Sequence, residues 1–271
     1  MATLINQGTA LVTGASSGLG AIYADRLARR GYDLILVARN RPRLEALAQR
    51  LTRETGRTIE VLPADLGKSD DLARVEEVLK SDASITLLVN NAGFADIGPL
   101  LQSDVEKMEQ MIDVNVTALM RLTYAVAPAL VARGRGTIIN IASVLALSPE
   151  MLNGVYAGTK AFVLAFSQSL RNEFADKGVR VQAVLPGATA TEIWEKAGTS
   201  IDRLPKEWVM SADDAVDAAL SGLDQGEFVT IPALPDIADW DALEAARQKL
   251  RPQLSNATPA SRYKLKATVA A

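Results

Sequence analysis

Short apolar runs recur along this chain, each separated from the next by a helical pattern. TALVTG (9–14), DLILVA (33–38), IEVLPA (59–64), ITLLVN (85–90), GTIINIAS (136–143), VRVQAVLP (179–186) and EFVTIP (227–232) are rich in Val, Ile and Leu on consecutive residues. Strands that are apolar on consecutive positions are buried on both faces, as in a parallel sheet. Between them, apolar residues return at helical spacing over about 18–30, 41–55, 69–80, 103–132, 154–176 and 211–222. Strand, helix, strand in repetition predicts an α/β fold: one doubly wound parallel sheet in a single domain. The rhythm breaks over 189–208, which carries Trp194, Gly198, Pro205 and Trp208 and no long apolar period. The domain is expected to span 1–233 with that excursion included. Residues 234–271 are expected to add a short helix and a polar tail, mobile or ordered only against a neighbouring subunit.

Composition narrows the chemistry. The chain has 48% hydrophobic residues, 5% aromatic residues and a net charge of -3, with no cysteine and no histidine. This excludes a disulfide framework and a thiolate nucleophile, and no metal site is expected. It also removes the usual acid/base side chain of neutral pH, so a tyrosine, lysine, carboxylate or bound cofactor must take that role. The mild negative charge gives no case for nucleic acid. The basic stretch 39–57 is interleaved with Leu44, Leu47 and Leu51 and reads as the wet face of a helix. The N-terminal residues lack a basic, apolar leader pattern, and no uninterrupted apolar run approaches the ~18 residues of a membrane span. A cytoplasmic protein with no membrane partner is the expectation.

TGASSGLG (13–20) follows the first strand and opens the first helix. Gly14, Gly18 and Gly20 let the backbone turn sharply and approach a ligand. With Ser16, Ser17 and Leu19 they present the helix amides, and the positive end of its dipole, to a pyrophosphate. Where an acidic residue would bond a ribose 2′-hydroxyl at the end of the second strand, this chain has Ala38, followed by Arg39. A guanidinium there suits a 2′-phosphate, so the expected cofactor is NADP(H). Asp65 and Leu66 read equally well as an adenine contact or as turn residues. In NNAG (90–93), Asn90 and Asn91 are placed to tie adjacent strands, while Ala92 and Gly93 leave room for a ligand.

Ser143 ends its strand. Tyr156 and Lys160 share one face of the next helix at i and i+4. Free tyrosine, with a pKa near ~10, holds its proton too tightly for transfer at neutral pH; a neighbouring ammonium is expected to lower it. Tyr156 would then protonate a carbonyl oxygen as hydride reaches its carbon, with Ser143 holding that oxygen. Asn115, a poor helix former in mid-helix, is expected to perturb the helix and hold a water near Lys160.

Taken together, TGASSGLG, NNAG, Asn115, Ser143, YAGTK (156–160) and PGATATE (186–192) resemble the short-chain dehydrogenase/reductase family, over about residues 7–232. The resemblance implies a Rossmann-type fold, hydride exchange between NAD(P) and an alcohol or carbonyl, and a catalytic tetrad of Asn115, Ser143, Tyr156 and Lys160. It implies that Lys160 also bonds the nicotinamide ribose beside Tyr156. It implies, too, that Pro186, Gly187, Thr189 and Thr191 close over the nicotinamide, with Asn91, Ala92 and Gly93 beside the cofactor. Arg39 after a neutral strand end resembles the NADP-preferring members.

The expected substrate pocket is formed by Phe94, Ser143, Leu145, Met151, Leu152, Tyr156 and Trp194, whose apolar character favours a hydrophobic or aromatic ketone. Other readings on the same fold are a non-catalytic dinucleotide-sensing regulator and an epimerase or dehydratase. The first tends to lose the Tyr/Lys pair, and the second usually needs a larger C-terminal domain. The family resemblance also implies a homo-oligomer, a dimer or tetramer formed through the 103–132 and 154–176 helices.

Overall fold

The computed structural model describes residues 7–152 and 154–263. Its chain forms two compact units, Met1–Pro232 and Ala233–Ala271. The first opens with β1 (Thr9–Thr13), α1 (Gly18–Arg29), β2 (Asp33–Ala38), α2 (Arg41–Thr55), β3 (Ile59–Pro63), α3 (Ser69–Ser81) and β4 (Ile85–Asn90). There follow α4 (Val105–Ile112), a π turn (Asp113–Ala118), α5 (Leu119–Ala132), β5 (Gly136–Ile141), α6 (Gly154–Glu173) and β6 (Val179–Val184). It closes with β7 (Thr189–Ala190), α7 (Ile193–Lys196), β8 (Met210–Ser211), α8 (Ala212–Gln225) and β9 (Val229–Thr230).

Seven strands form one parallel Rossmann-type sheet in the order β3-β2-β1-β4-β5-β6-β9. The chain winds outward from β1 in one direction, then crosses back to β4 and winds the other way. The strand order therefore reverses between β1 and β4, and a crevice opens there at the C-terminal strand ends. All five residues of β1 are buried, as are Leu34, Leu36, Leu87 and Val89 on its neighbours. Each buried Leu or Val among them contributes roughly 1.5–3 kcal/mol by leaving water.

Local signals fix the helix ends. Asn40 Oδ1 accepts from Arg43 N at 3.0 Å to start α2, and Gly56, at φ 69°, ends it. On α1, the carboxylate of Asp25 accepts hydrogen bonds from Arg26, Arg29 and Arg50, which fastens α2 to α1.

The predicted 103–132 helix is interrupted by the π turn. The whole stretch Val105–Ala132 is long and apolar enough to cross a bilayer by length and composition, although no uninterrupted apolar run led us to expect it. Here it packs against α3, β4 and β5, with Leu119, Leu122, Val126 and Leu130 buried. The 227–232 strand shrinks to two residues, and the 189–208 excursion opens with the short strand β7, which pairs with β8 just beyond its end.

In the second unit, α9 (Ile237–Lys249) supplies the expected helix, capped by Asp236. A single 3-10 turn follows at Arg251–Gln253 and another at Ser261–Tyr263. The end of the tail, 264–271, lies outside the described residues, as do 1–6.

Candidate active site

The glycine turn sits at the C-terminal end of β1. Gly14 and Gly18 adopt φ of 67° and 55°, a region costly for other residues. A Cβ on Gly14 would lie 2.7 Å from Asn91 Nδ2 and 2.9 Å from Ala92 Cα. On Gly20 it would strike the Gly14 carbonyl, so this glycine lets α1 lie close on the turn. Ser17 stands at the N-cap of α1 without using its hydroxyl as a cap. The first turn of α1 thus offers amide donors above a cradle with no side-chain bulk, which fits a dinucleotide pyrophosphate.

Around this turn, Thr13 and Asn91 lock β1 to β4. Thr13 Oγ1 donates to Val89 O at 3.1 Å and accepts from the amides of Asn91 and Ala92, each at 3.0 Å. Asn91 Nδ2 donates to Thr13 O at 2.8 Å. Asn90 ties β4 to β5 through Asn140 Oδ1 at 2.9 Å, and Asn140 donates on to Ser167 at 2.9 Å. Asn90 therefore acts inside the sheet and Asn91 at its rim. Nothing in the sequence singled out Thr13, Asn140 or Ser167 for these roles.

Arg39 is exposed at the end of β2, with no ion pair or side-chain hydrogen bond among the described residues. Asp65 Oδ1 accepts from Gly67 N at 3.2 Å, so of its two readings the turn role is the one visible here; Leu66 is buried.

The tetrad gathers at the C-terminal ends of β4 and β5. Asn115 lies in the π turn, where its side chain faces Phe94: Oδ1 accepts from Phe94 N at 3.0 Å and Nδ2 donates to Phe94 O at 2.9 Å. Gly93 makes this approach possible, since a Cβ there would stand 2.9 Å from Asn115 Oδ1 and 3.8 Å from Lys160 Nζ. Ser143 Oγ accepts from Leu145 N at 3.2 Å and lies 3.5 Å from Pro186 O. The Tyr156 hydroxyl is hydrogen-bonded to Ser143. Lys160 Nζ donates to Ile141 O at 2.9 Å and stands 5.7 Å from the centre of the Tyr156 ring.

The electrostatics correct one expectation. Burial pushes the Tyr156 phenol up to about 12, against a smaller lowering by its bond to Ser143. Burial also pushes the Lys160 ammonium down to about 8. The ammonium is aimed at a backbone carbonyl, and in the cofactor-free protein burial dominates the phenol, so Tyr156 is raised rather than lowered as the i,i+4 spacing led us to expect.

After β6, Thr189 is buried with Oγ1 donating to Gly187 O at 3.1 Å, and Pro186 O accepts from Val144 N at 3.1 Å. Thr191 lies beside the glycine turn, 3.3 Å from where a Gly18 Cβ would be.

An apolar cluster surrounds Tyr156: Ala95, Met108, Met111, Leu145 and Ala157, with Phe94, Ile97, Val155, Ile193 and Ala197 packed against it. Phe94 and Leu145 are where the pocket reading put them. Met151 is 57% exposed and Leu152 is exposed too, both outside the cluster. The 3-10 turn Pro149–Met151 touches α6 but buries none of its residues. Trp194 is also outside it, with its indole Nε1 donating to Thr189 O at 2.9 Å. Its neighbour Ile193 takes the inward position. Met108 and Met111, three apart on α4, give the one sequence signal that could have found the wall.

Against known proteins, the family model described as short chain dehydrogenase matches residues 8–202. A short-chain dehydrogenase from Sphingobium yanoikuyae, solved in complex with NADPH, superposes with a TM-score of 0.92 at 52% identity, covering 94% of this chain and 99% of that one. The bulky-bulky ketone specific alcohol dehydrogenase from Comamonas testosteroni gives 0.88 at 45%, covering 95% and 99%. Human 17-beta-hydroxysteroid dehydrogenase type 3 is 34% identical over 196 residues, 71% of this chain but only 62% of the human protein's length.

Proposed function

The chain belongs to the short-chain dehydrogenase family, and from that premise we propose an NADP(H)-dependent oxidoreductase that interconverts a bulky apolar ketone and its secondary alcohol. The observation that carries this reading is the buried Tyr156 hydroxyl, bonded to Ser143 and one helical turn from Lys160, whose ammonium lies beside Gly93.

A nicotinamide held in this cleft would supply the hydride in reduction and accept it in oxidation. Tyr156, kept protonated by burial, donates the phenolic proton to the carbonyl oxygen during reduction and takes it back during oxidation. Ser143 holds that oxygen. Lys160 holds the ribose and supports the phenolate when charged. Asn115 braces the Phe94 backbone and holds a water next to Lys160. Gly14, Ser16, Ser17, Gly18, Leu19 and Gly20 cradle the pyrophosphate, Asp65 and Leu66 flank the adenine, and Asn91, Ala92, Gly93, Pro186, Gly187, Thr189 and Thr191 line the nicotinamide half. Arg39, uncommitted in the structure, receives the 2′-phosphate. NADPH in the Sphingobium yanoikuyae relative supports this choice of cofactor, and the apolar wall around Tyr156 supports the substrate class, as does the ketone named for the Comamonas testosteroni relative.

Exposed Tyr124 stacks on Phe166, and Phe166 on Phe162, an aromatic face on α5 and α6 that suits a homo-oligomer of a cytoplasmic enzyme. Light scattering on the purified protein tests the oligomer.

The deciding assay follows NADPH absorbance with a panel of ketones for the parent and Tyr156→Phe. A fall of about 10²–10⁴ in kcat is expected; activity that survives the phenylalanine would overturn the mechanism. Arg39→Asp should raise the KM for NADPH and leave that for NADH nearly unchanged.

A further inference from the structure

We propose that Arg43 and Glu192 form a clasp across the mouth of the dinucleotide cleft and set how fast the cofactor leaves. Arg43 lies in the first turn of α2, directly after β2. Glu192 follows Thr191, in the segment that leaves β6. In the sheet order, β2 and β6 are separated by β1, β4 and β5. Four strand spacings amount to roughly 19 Å. Yet Arg43 Nη1 donates to both oxygens of the Glu192 carboxylate, each at 2.9 Å. The segment after β6 must therefore reach back along the C-terminal edge, over β5, β4 and β1, to meet α2. Thr191 marks its path, lying beside Gly18 of the glycine turn. The ion pair bridges the point where the strand order reverses, which is where a ligand of this fold lies.

The clasp is built to open. Both side chains are partly exposed, Arg43 at 50% and Glu192 at 39%, so the pair is screened and weak. Glu192 also accepts from Lys196, one turn along α7, at 2.9 Å. When Arg43 lets go, the carboxylate keeps a cationic partner and opening leaves no bare charge. Between them, Arg43 and Lys196 hold the Glu192 carboxyl at about 2, so the pair is ionised at neutral pH. Arg43 and Glu192 are positioning residues, acting through the segment that carries Thr189 and Thr191.

The proposal rests on the dinucleotide reading of the cleft, and the experiment separates the two. Stopped-flow displacement of NADPH, and separately of NADH, is followed by cofactor fluorescence for the parent, Glu192→Gln, Arg43→Gln and the double variant, with melting temperatures confirming that each is folded. Each single variant should release NADPH roughly two- to fivefold faster. The double variant should be no faster than either, and NADH release should quicken by the same factor. Release unchanged in Glu192→Gln, or additive effects in the double variant, would overturn the clasp. So would an Arg43→Gln effect confined to NADPH, which would make Arg43 a ligand of the 2′-phosphate instead. A parent that binds neither nucleotide would overturn both the clasp and the reading beneath it.

Discussion

Lys160 reaches back to β5 and donates to the carbonyl of Ile141 at 2.9 Å, leaving its ammonium buried beside the Tyr156 ring. Burial brings its folded-state pKa from 10.5 to about 8. The unfolded chain holds this proton up to about pH 10.5. Between the two values the unfolded state binds more protons, and stability rises with pH. The gain is of order 3 kcal/mol, complete near pH 10.5, while Tyr156, shifted the other way, begins to oppose it above about pH 10. Urea unfolding of the cofactor-free protein at pH 7, 8, 9 and 10 should show the rise in the parent and lose it in Lys160→Met. A constant difference between the two proteins across that range would contradict the assignment.

Two glycines should respond in opposite directions. A methyl at Gly93 meets Asn115 Oδ1 at 2.9 Å, so Gly93→Ala must displace the tetrad asparagine or the strand end. A cost of about 1–3 kcal/mol is expected, together with a loss of kcat. Gly158 lies exposed in α6 with nothing within 4 Å of an added Cβ. There alanine should stabilise the protein by about 0.5–1 kcal/mol. Thermal melts of the two variants, alongside NADPH turnover, make the comparison.

Ile193 and Trp194 are adjacent but do different work. Ile193 packs on the cluster around Tyr156, whereas Trp194 Nε1 holds Thr189 O. Ile193→Ala is expected to change the ratio of kcat/KM between bulky and small ketones, with little change in NADPH affinity. Trp194→Phe, which removes one hydrogen bond of about 0.5–1.5 kcal/mol, should instead weaken NADPH several-fold. Steady-state kinetics over a ketone series and NADPH titration separate the two. Identical ketone profiles for parent and Ile193→Ala would remove α7 from the pocket.

Asp25 has a side chain only 7% exposed, among three arginines. Burial raises its pKa, but bonds to Arg29, Arg50 and Arg26 outweigh this and bring it to about 2. A carboxylate lowered in this way stabilises the fold above its unfolded value near 3.8, and the contribution fades as pH falls through 2. Asp25→Asn should cost about 2 kcal/mol at pH 7. The difference from the parent should narrow on acidification from pH 4 toward 2, as followed by chemical denaturation.

The sheet was legible because consecutive Val, Ile and Leu runs admit few structures other than strands buried on both faces. Gly14, Gly18 and Gly20 were legible because their spacing between a strand and a helix has few other uses. Tyr156 and Lys160 were found by helical spacing, which brought the chains near each other but said nothing about direction. It could not show Lys160 turning to Ile141, or burial raising the Tyr156 phenol. The Arg43–Glu192 pair joins positions far apart in the chain, and no local pattern announces it. The split roles of Ile193 and Trp194 escaped for a similar reason. A short helix set in an irregular excursion has too few turns for its buried side to show as a period.

The two-rung ladder of β7 and β8 pairs Thr189 with Met210 and Ala190 with Ser211. It closes the intervening residues into a loop with a narrow neck, outside the hydrogen bonding of the main sheet. Whatever lies beyond the neck can lengthen, shorten or be exchanged while the strands below keep their register. Evolution, or an engineer grafting a relative's loop between Glu192 and Met210, can therefore alter the apolar wall beside Tyr156 as an interchangeable part, with Ser143, Tyr156 and Lys160 left in place.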